Sequence, residues 1–188
     1  MAPVAADFSA ELEALRPYLL RYASLQLRNP DAAEDAVQET LLAALAAQAS
    51  YEGRASLRTW LTGILKHKIV DAIRRARREG SVESEAEQGV SEFDGLFDER
   101  GHWQEHPSPW EHPDGALQQK QFLVALEACL QALPARTSQV FLMREQLGLE
   151  TAEICKELGL TSTHCWVLLY RARMALRECL EKTWFSAR

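Results

Sequence analysis

The 188-residue chain is long enough for one medium domain or two small ones, and its 47% hydrophobic content is ordinary for a soluble globular protein, so composition points to no enzyme class. A formal net charge of −6 looks wrong for a nucleic-acid binder until it is divided: residues 1–53 carry −5, 54–78 carry +7, 79–114 carry −10 and 115–188 carry +2. The start, MAPVAADFSAELEALRPYLL, lacks a positively charged leader and an uninterrupted apolar run, and no later segment approaches the roughly 18 apolar residues of a membrane span, so a cytoplasmic location is expected.

In chain order, Leu12, Leu15, Leu19, Tyr22 and Leu25 or Leu27 keep near-helical spacing, as do Ala33, Val37, Leu41 and Leu45, then Leu61, Ile64, Leu65, Ile69, Ala72 and Ile73. Three amphipathic helices are predicted. Asn29 and Pro30 separate the first two, and SYEGRAS (Ser50 to Ser56) has the Gly and Ser content of a loop before the third. The next stretch, GSVESEAEQGVSEFDGLFDERGHWQEHPSPWEHPD, is rich in Gly, Ser, Glu and Pro without a sustained apolar period, which reads as an acidic flexible linker. Beyond it Phe122, Leu123, Leu126, Cys129, Leu130 and Leu133 form a helical stripe that stops at Pro134, a first residue for the following helix. Gly148 and Gly159 suggest two C-terminal caps. The fold class is therefore all-α: a domain over 1–80, a linker over 81–114 and a second domain over 115–188.

The second domain carries a distinct pattern. ETAEICKELGLTSTHCWVLLYRARMALRECL gives a short helix from about Glu150 to Leu158, a Gly-containing turn, and a longer helix from about Ser162 with Thr161 and Ser162 as polar caps, which is a helix-turn-helix. Within the long helix Cys165, Leu169, Ala172 and Leu176 would be buried. Thr163, His164, Val167, Tyr170, Arg171 and Arg173 are left for solvent or DNA. In the first domain an acidic run precedes a basic one. DAAEDAVQET has four carboxylates and no cation, whereas residues 54–78 hold eight cations against Asp71. The first suits a basic protein partner and the second suits phosphate.

DAAEDAVQETLL, TWLTGILKHKIVDAIRRARR and LPARTSQVFLMREQLGLETAEICKELGLTSTHCWVLLYRARMAL together resemble an extracytoplasmic-function sigma factor of bacterial RNA polymerase, over nearly the whole chain. The resemblance implies an alternative sigma subunit that is not an enzyme and needs no cofactor. It implies a region 2 domain that binds the polymerase clamp and melts the −10 element, a region 4 domain that binds the −35 element and the flap, and a cognate anti-sigma partner.

By position, the resemblance assigns Asp31, Glu34, Asp35, Gln38 and Glu39 to core-polymerase binding. It assigns the −10 element to Tyr51, Arg54, Ser56 and Trp60, which offer a pocket for an extruded base, and to Lys66, Lys68, Arg74, Arg75 and Arg78, which offer phosphate contacts. For the −35 element it leaves Thr163, His164, Val167, Arg171 and Arg173. The recognition helix departs from the family pattern, with Trp166 and Leu168 where cations are usual; these two are expected to complete a packing surface.

Other constellations are weaker. His102, His106 and His112 with Glu105 and Glu111, or His164 with Cys165, lack the spacing of a structural zinc module, so no metal site is expected. The four cysteines, Cys129, Cys155, Cys165 and Cys179, form no CxxC pair, and reduced, mostly buried thiols are expected. Two other functions compete. A helix-turn-helix transcription activator that is not a polymerase subunit shares the C-terminal pattern, but residues 1–78 show none of the alternating strands of a receiver or the pocket of a ligand sensor. A metal-dependent hydrolase using the linker histidines would need a constellation that the spacing does not supply.

Overall fold

A computed structural model of the chain describes residues 4–80 and 120–185. The chain divides into two compact units, Met1–Val82 and Glu83–Arg188. Every regular element among the described residues is helical, and none of those helices is long and apolar enough to cross a membrane. The predicted linker and its three histidines lie outside the described residues.

The first unit is built from α1 (Val4–Leu27), α2 (Pro30–Ala46) and α3 (Leu57–Arg78), with a single 3-10 turn at Gln48–Ser50. Arg28 adopts a left-handed conformation (φ 48°) that ends α1, and the Asn29 side chain then accepts a bond from Ala32 N at 3.0 Å to start α2 with Pro30 in its first turn. Ser56 caps α3 in the same way, accepting from Thr59 N at 3.1 Å. Each helix packs on the other two. Leu12, Leu19 and Tyr22 from α1, Ala33, Val37 and Leu41 from α2, and Leu61, Leu65, Ile69 and Ile73 from α3 fill the core. Full burial of each large aliphatic side chain is worth about 1.5–3 kcal/mol against exposure. Burial, with Tyr18 beside it, also pushes the Tyr22 phenol far above its ordinary range and keeps it protonated.

Two expected core positions are corrected. Leu45 is 42% exposed and Ala44 is buried in its place, because α2 rests against its neighbours on small residues, Ala33, Ala36 and Ala44, that let the backbones approach. Leu123 in the second unit is likewise exposed, and Phe122 takes the buried position next to it.

The second unit comprises α4 (Lys120–Ala132), α5 (Ala135–Glu145), α6 (Thr151–Leu158) and α7 (Ser162–Leu180), closed by a π-helical turn at Glu181–Phe185. Pro134 stands at the cap of α5, one residue before the expected start. Gly159 ends α6 at φ 67°, ψ 37°, where a side chain would be strained, and Gly148 makes a second left-handed turn at φ 74°. The Glu153 carboxylate accepts from Glu150 N at 2.8 Å at the start of α6, and Thr161 Oγ1 accepts from His164 N at 3.2 Å at the start of α7. The helix α7 is the spine, with α4, α5 and α6 all packed on it.

The cysteines are the other correction. Cys129 of α4 and Cys179 of α7 form a disulfide across 50 residues of chain, where reduced thiols were expected. Spacing could not reveal it, since the pairing arises only when α4 docks on the C-terminal end of α7. Cys155 and Cys165 stay free.

Candidate functional site

On α2 the residues at positions 31, 35, 38, 42 and 45 follow steps of four, three, four and three, so they form one row. Asp31, Asp35 and Gln38 are exposed, and the row continues into Leu42 at 67% and Leu45 at 42% exposure. The other two acidic residues of this helix are tied inward. Glu34 accepts from Arg16 Nη2 of α1 at 2.6 Å, and Glu39 lies 3.1 Å from Lys68 Nζ and 3.8 Å from Arg75 Nη2 of α3. The five acidic and amide positions are therefore split, three at the surface and two bracing the helices. The leucines were missed because the periodicity assigned Leu45 to the core, although Leu42 and Leu45 share the helical face of Gln38.

The loop before α3 holds an aromatic cluster. Tyr51 and Trp60 have ring centroids 4.9 Å apart, and Phe8 lies 6.3 Å from Tyr51. Tyr51 Oη donates to the Ala55 carbonyl at 2.7 Å, closing the loop against the head of the helix. Tyr51 and Trp60 are half-buried, so one side of the pair faces outward. Arg54 is exposed beside Glu52 at 2.6 Å, and Arg58 sits 3.7 Å over the Tyr18 ring. The Ser56 hydroxyl is engaged with Thr59, through its N–H and, at 2.8 Å, its hydroxyl.

Along α3, Lys68 and Arg75 lie on the side facing Glu39, Arg74 is held by Asp71 at 3.2 Å, and Arg78 is exposed in the last turn. Lys66 is half-buried, and its spacing from Lys68 sets it on a different flank. These ion pairs are partly or fully solvated, so each is worth about 1 kcal/mol or less and can be exchanged for a phosphate.

In the helix-turn-helix, α7 buries Cys165, Leu169, Ala172 and Leu176, as the spacing requires. Leu168 joins them at 6% exposure, whereas Trp166 is 55% exposed and completes no packing surface. Thr163, Trp166, Tyr170 and Arg173, in steps of three, four and three, make one row, exposed except at the half-buried Tyr170, with His164, Val167 and Arg171 half-buried along its edge. Arg173 donates to Glu145 of α5 at 2.9 Å. Arg144, near the same end of α5, donates to the Leu149 carbonyl at 3.0 Å and to Glu150 at 2.8 Å, which fixes the start of α6, and the Glu150 carboxylate raises the Arg144 pKa further. Burial, with Cys155 adjacent, pushes the Cys165 thiol up to about 11 and leaves it neutral.

Residues 12–79 match the family model Sigma-70 region 2, and residues 123–176 match Sigma-70, region 4. A probable RNA polymerase sigma factor of Haemophilus influenzae is 40% identical over 174 residues, which is 92% of this chain and 89% of that protein. The ECF RNA polymerase sigma factor SigG of Mycobacterium tuberculosis is 32% identical over 178 residues, 91% of this chain and 48% of that protein, so the chain spans about half of its length. Among solved structures, the sigma factor RpoE in its co-crystal with the anti-sigma factor NepR from Bartonella quintana is 26% identical, with 93% of this chain and 97% of that chain covered at a TM-score of 0.43.

Proposed function

The chain belongs to the extracytoplasmic-function sigma factors of bacterial RNA polymerase, and from that premise we propose how its surfaces divide the work of initiation. Members of this family are non-catalytic factors, and the partners are core polymerase and promoter DNA. In our reading the chain has no catalytic activity of its own and works in the cytoplasm alongside the polymerase.

The α2 row binds the polymerase clamp. Its anions, Asp31 and Asp35, would meet basic groups, while Leu42 and Leu45 supply apolar area that costs free energy to leave in water. Glu34 and Glu39 contribute by fixing α2 against α1 and α3. The Tyr51–Trp60 pair offers an aromatic surface to an extruded −10 base, since stacking replaces what the base loses on leaving the duplex, and Arg54 supplies a cation at its rim. Ser56 acts through the helix cap. Lys66, Lys68, Arg74, Arg75 and Arg78 receive the displaced backbone.

The outward row of α7 and its half-buried edge enter the major groove of the −35 element, where Thr163, His164 and Val167 approach base edges near the helix start and Arg171 reaches a guanine or a phosphate. Arg173 exchanges Glu145 for a phosphate. The flap is the second partner of this unit. A cognate anti-sigma factor, in this proposal, blocks initiation by covering one of these surfaces. The observation that carries the reading is the α2 row, because a transcription activator or a hydrolase has no use for an acidic helix ending in exposed leucines beside a cationic one.

The test is transcription in vitro with purified core polymerase on a promoter library. Stoichiometric association with core and start sites that depend jointly on −10 and −35 sequences are expected. Failure to associate with core would overturn the assignment.

A further inference from the structure

All four cysteines of the chain lie in the second unit, and they fall into two pairs: Cys129 with Cys179, which are bonded, and Cys155 with Cys165, which are adjacent and free. The bonded pair joins α4 to the end of α7, the helix whose other end carries the DNA-facing row. The same place is reinforced from the terminal turn, where Phe122 of α4 meets Trp184 at 5.7 Å and Phe185 at 6.5 Å, and Cys129 Sγ lies 3.8 Å from Thr183 Oγ1. Cys129 is 2% exposed and Cys179 is half-buried. Cys179 is thus the more accessible residue of the pair, and the one taken as the first to react.

We propose that Cys129–Cys179 is a reversible thiol–disulfide site that sets how firmly the −35-reading unit is clasped. The inference rests on the sigma-factor reading in one respect: a protein that works on the polymerase meets the reducing thiol pool, where a disulfide that forms is transient and senses redox state. Closure runs by exchange with a low-molecular-weight disulfide RSSR. The Cys179 thiolate attacks one sulfur, forming a Cys179–SR bond and releasing RS⁻. Cys129, as its thiolate, then attacks Cys179 Sγ, forming the Cys129–Cys179 bond and releasing the second RS⁻. The two protons lost by the cysteines end on the two RSH. The two cysteines are oxidised, RSSR is reduced, and two thiols RSH reverse the sequence.

The closed clasp spans 50 residues, so it removes much of the unfolded chain's freedom while leaving the helix-turn-helix contacts of α6 and α7 unaltered. Both redox forms should thus bind a −35 duplex when cool. They should differ in the temperature at which that binding is lost.

The full chain is equilibrated in glutathione buffers from reducing to oxidising, and the cysteines are mapped by mass spectrometry after alkylation. Loss of two alkylatable thiols is expected, assigned to Cys129 and Cys179, with a melting temperature roughly 15–30 °C higher in the oxidised form and a parallel shift in the loss of −35 duplex binding. Cys179→Ala should abolish the shift, and Cys155→Ala should leave it in place. If Cys155 and Cys165 are the pair that oxidises, or if all four thiols stay alkylatable in oxidising buffer, the proposal is overturned; the wild-type titration decides this even if a variant fails to fold. Binding of core polymerase is measured in the same samples. Its absence with the redox shift intact would overturn the sigma reading, and its presence without the shift would overturn the clasp.

Discussion

Arg171 and Arg173 stand two positions apart on α7 yet have different surroundings. Arg173 is held by Glu145 at 2.9 Å, an exposed pair worth about 1 kcal/mol or less, so it can let go of its partner for a phosphate at small cost. Arg171 lies half-buried on the edge of the outward row. Replacing Arg171 with Ala is expected to lose about 1–3 kcal/mol of discrimination at a single −35 position, whereas Arg173→Ala should weaken all −35 variants about equally and lower the salt slope by about one unit. Duplex binding across a set of −35 variants at several salt concentrations separates the two. Cys165 gives a pH test. Its pKa is raised from an ordinary 9.0 to about 11, mainly by burial, so the folded state holds the thiol proton more tightly than the unfolded chain does. That contribution is present in full below about pH 9 and is lost as pH rises through about 11. The unfolding free energy of the second unit should fall across this window, and Cys165→Ala should flatten the decline in a urea titration series.

At the scale of elements, α2 and α3 are joined by opposite charges as well as by their core faces. Glu39 takes both Lys68 and Arg75, which holds the cationic side of α3 next to the acidic helix. The row Asp31, Asp35, Gln38, Leu42, Leu45 is on the exposed side, so its charges can be inverted without touching that brace. Asp31→Arg combined with Asp35→Arg is expected to weaken core-polymerase binding by several kcal/mol through like-charge contact, with helicity and melting temperature nearly unchanged. A binding titration against core, run beside thermal unfolding, checks it, and unchanged affinity would remove α2 from the polymerase surface. A double change that included Glu39 would be less clean, because it would also remove the partner of Lys68 and Arg75.

For the molecule as a whole, each unit has a buried core of its own, and the disulfide belongs wholly to the second. Unfolding is therefore expected in two calorimetric transitions. Leu65, fully buried in α3, should cost about 2–5 kcal/mol when changed to Ala, and only one transition should move. Reductant should move the other, since closing a loop of 50 residues stabilises by about 4 kcal/mol in the chain-entropy account. If Leu65→Ala shifted both transitions together, the units would be energetically coupled and the two-core description would fail.

The helices and the helix-turn-helix were legible in the sequence because they depend on local physics: apolar spacing near 3.6, Thr161 offering a side-chain acceptor to a free N–H group, and Gly159 tolerating a left-handed turn, whereas the caps at Asn29 and Ser56 read in sequence only as a break and a loop. The acidic and basic character of α2 and α3 was equally plain, as charge is a property of each residue. What could not be read was which partners those groups choose. Glu39 and Glu34 look like Asp31 and Asp35 in sequence, and only packing turned the first two inward to α1 and α3. Leu45 kept the helical period but lost its place in the core to Ala44, because the close approach of α2 favours a small residue at the contact. Trp166 and Leu168 differ by two positions, about 200° around a helix, and that angle buried one and exposed the other only once α5 and α6 had taken their sides of α7. The Cys129–Cys179 pair is the extreme case: 50 residues separate its members, no spacing rule reaches that far, and the docking of α4 on α7 alone brings them together.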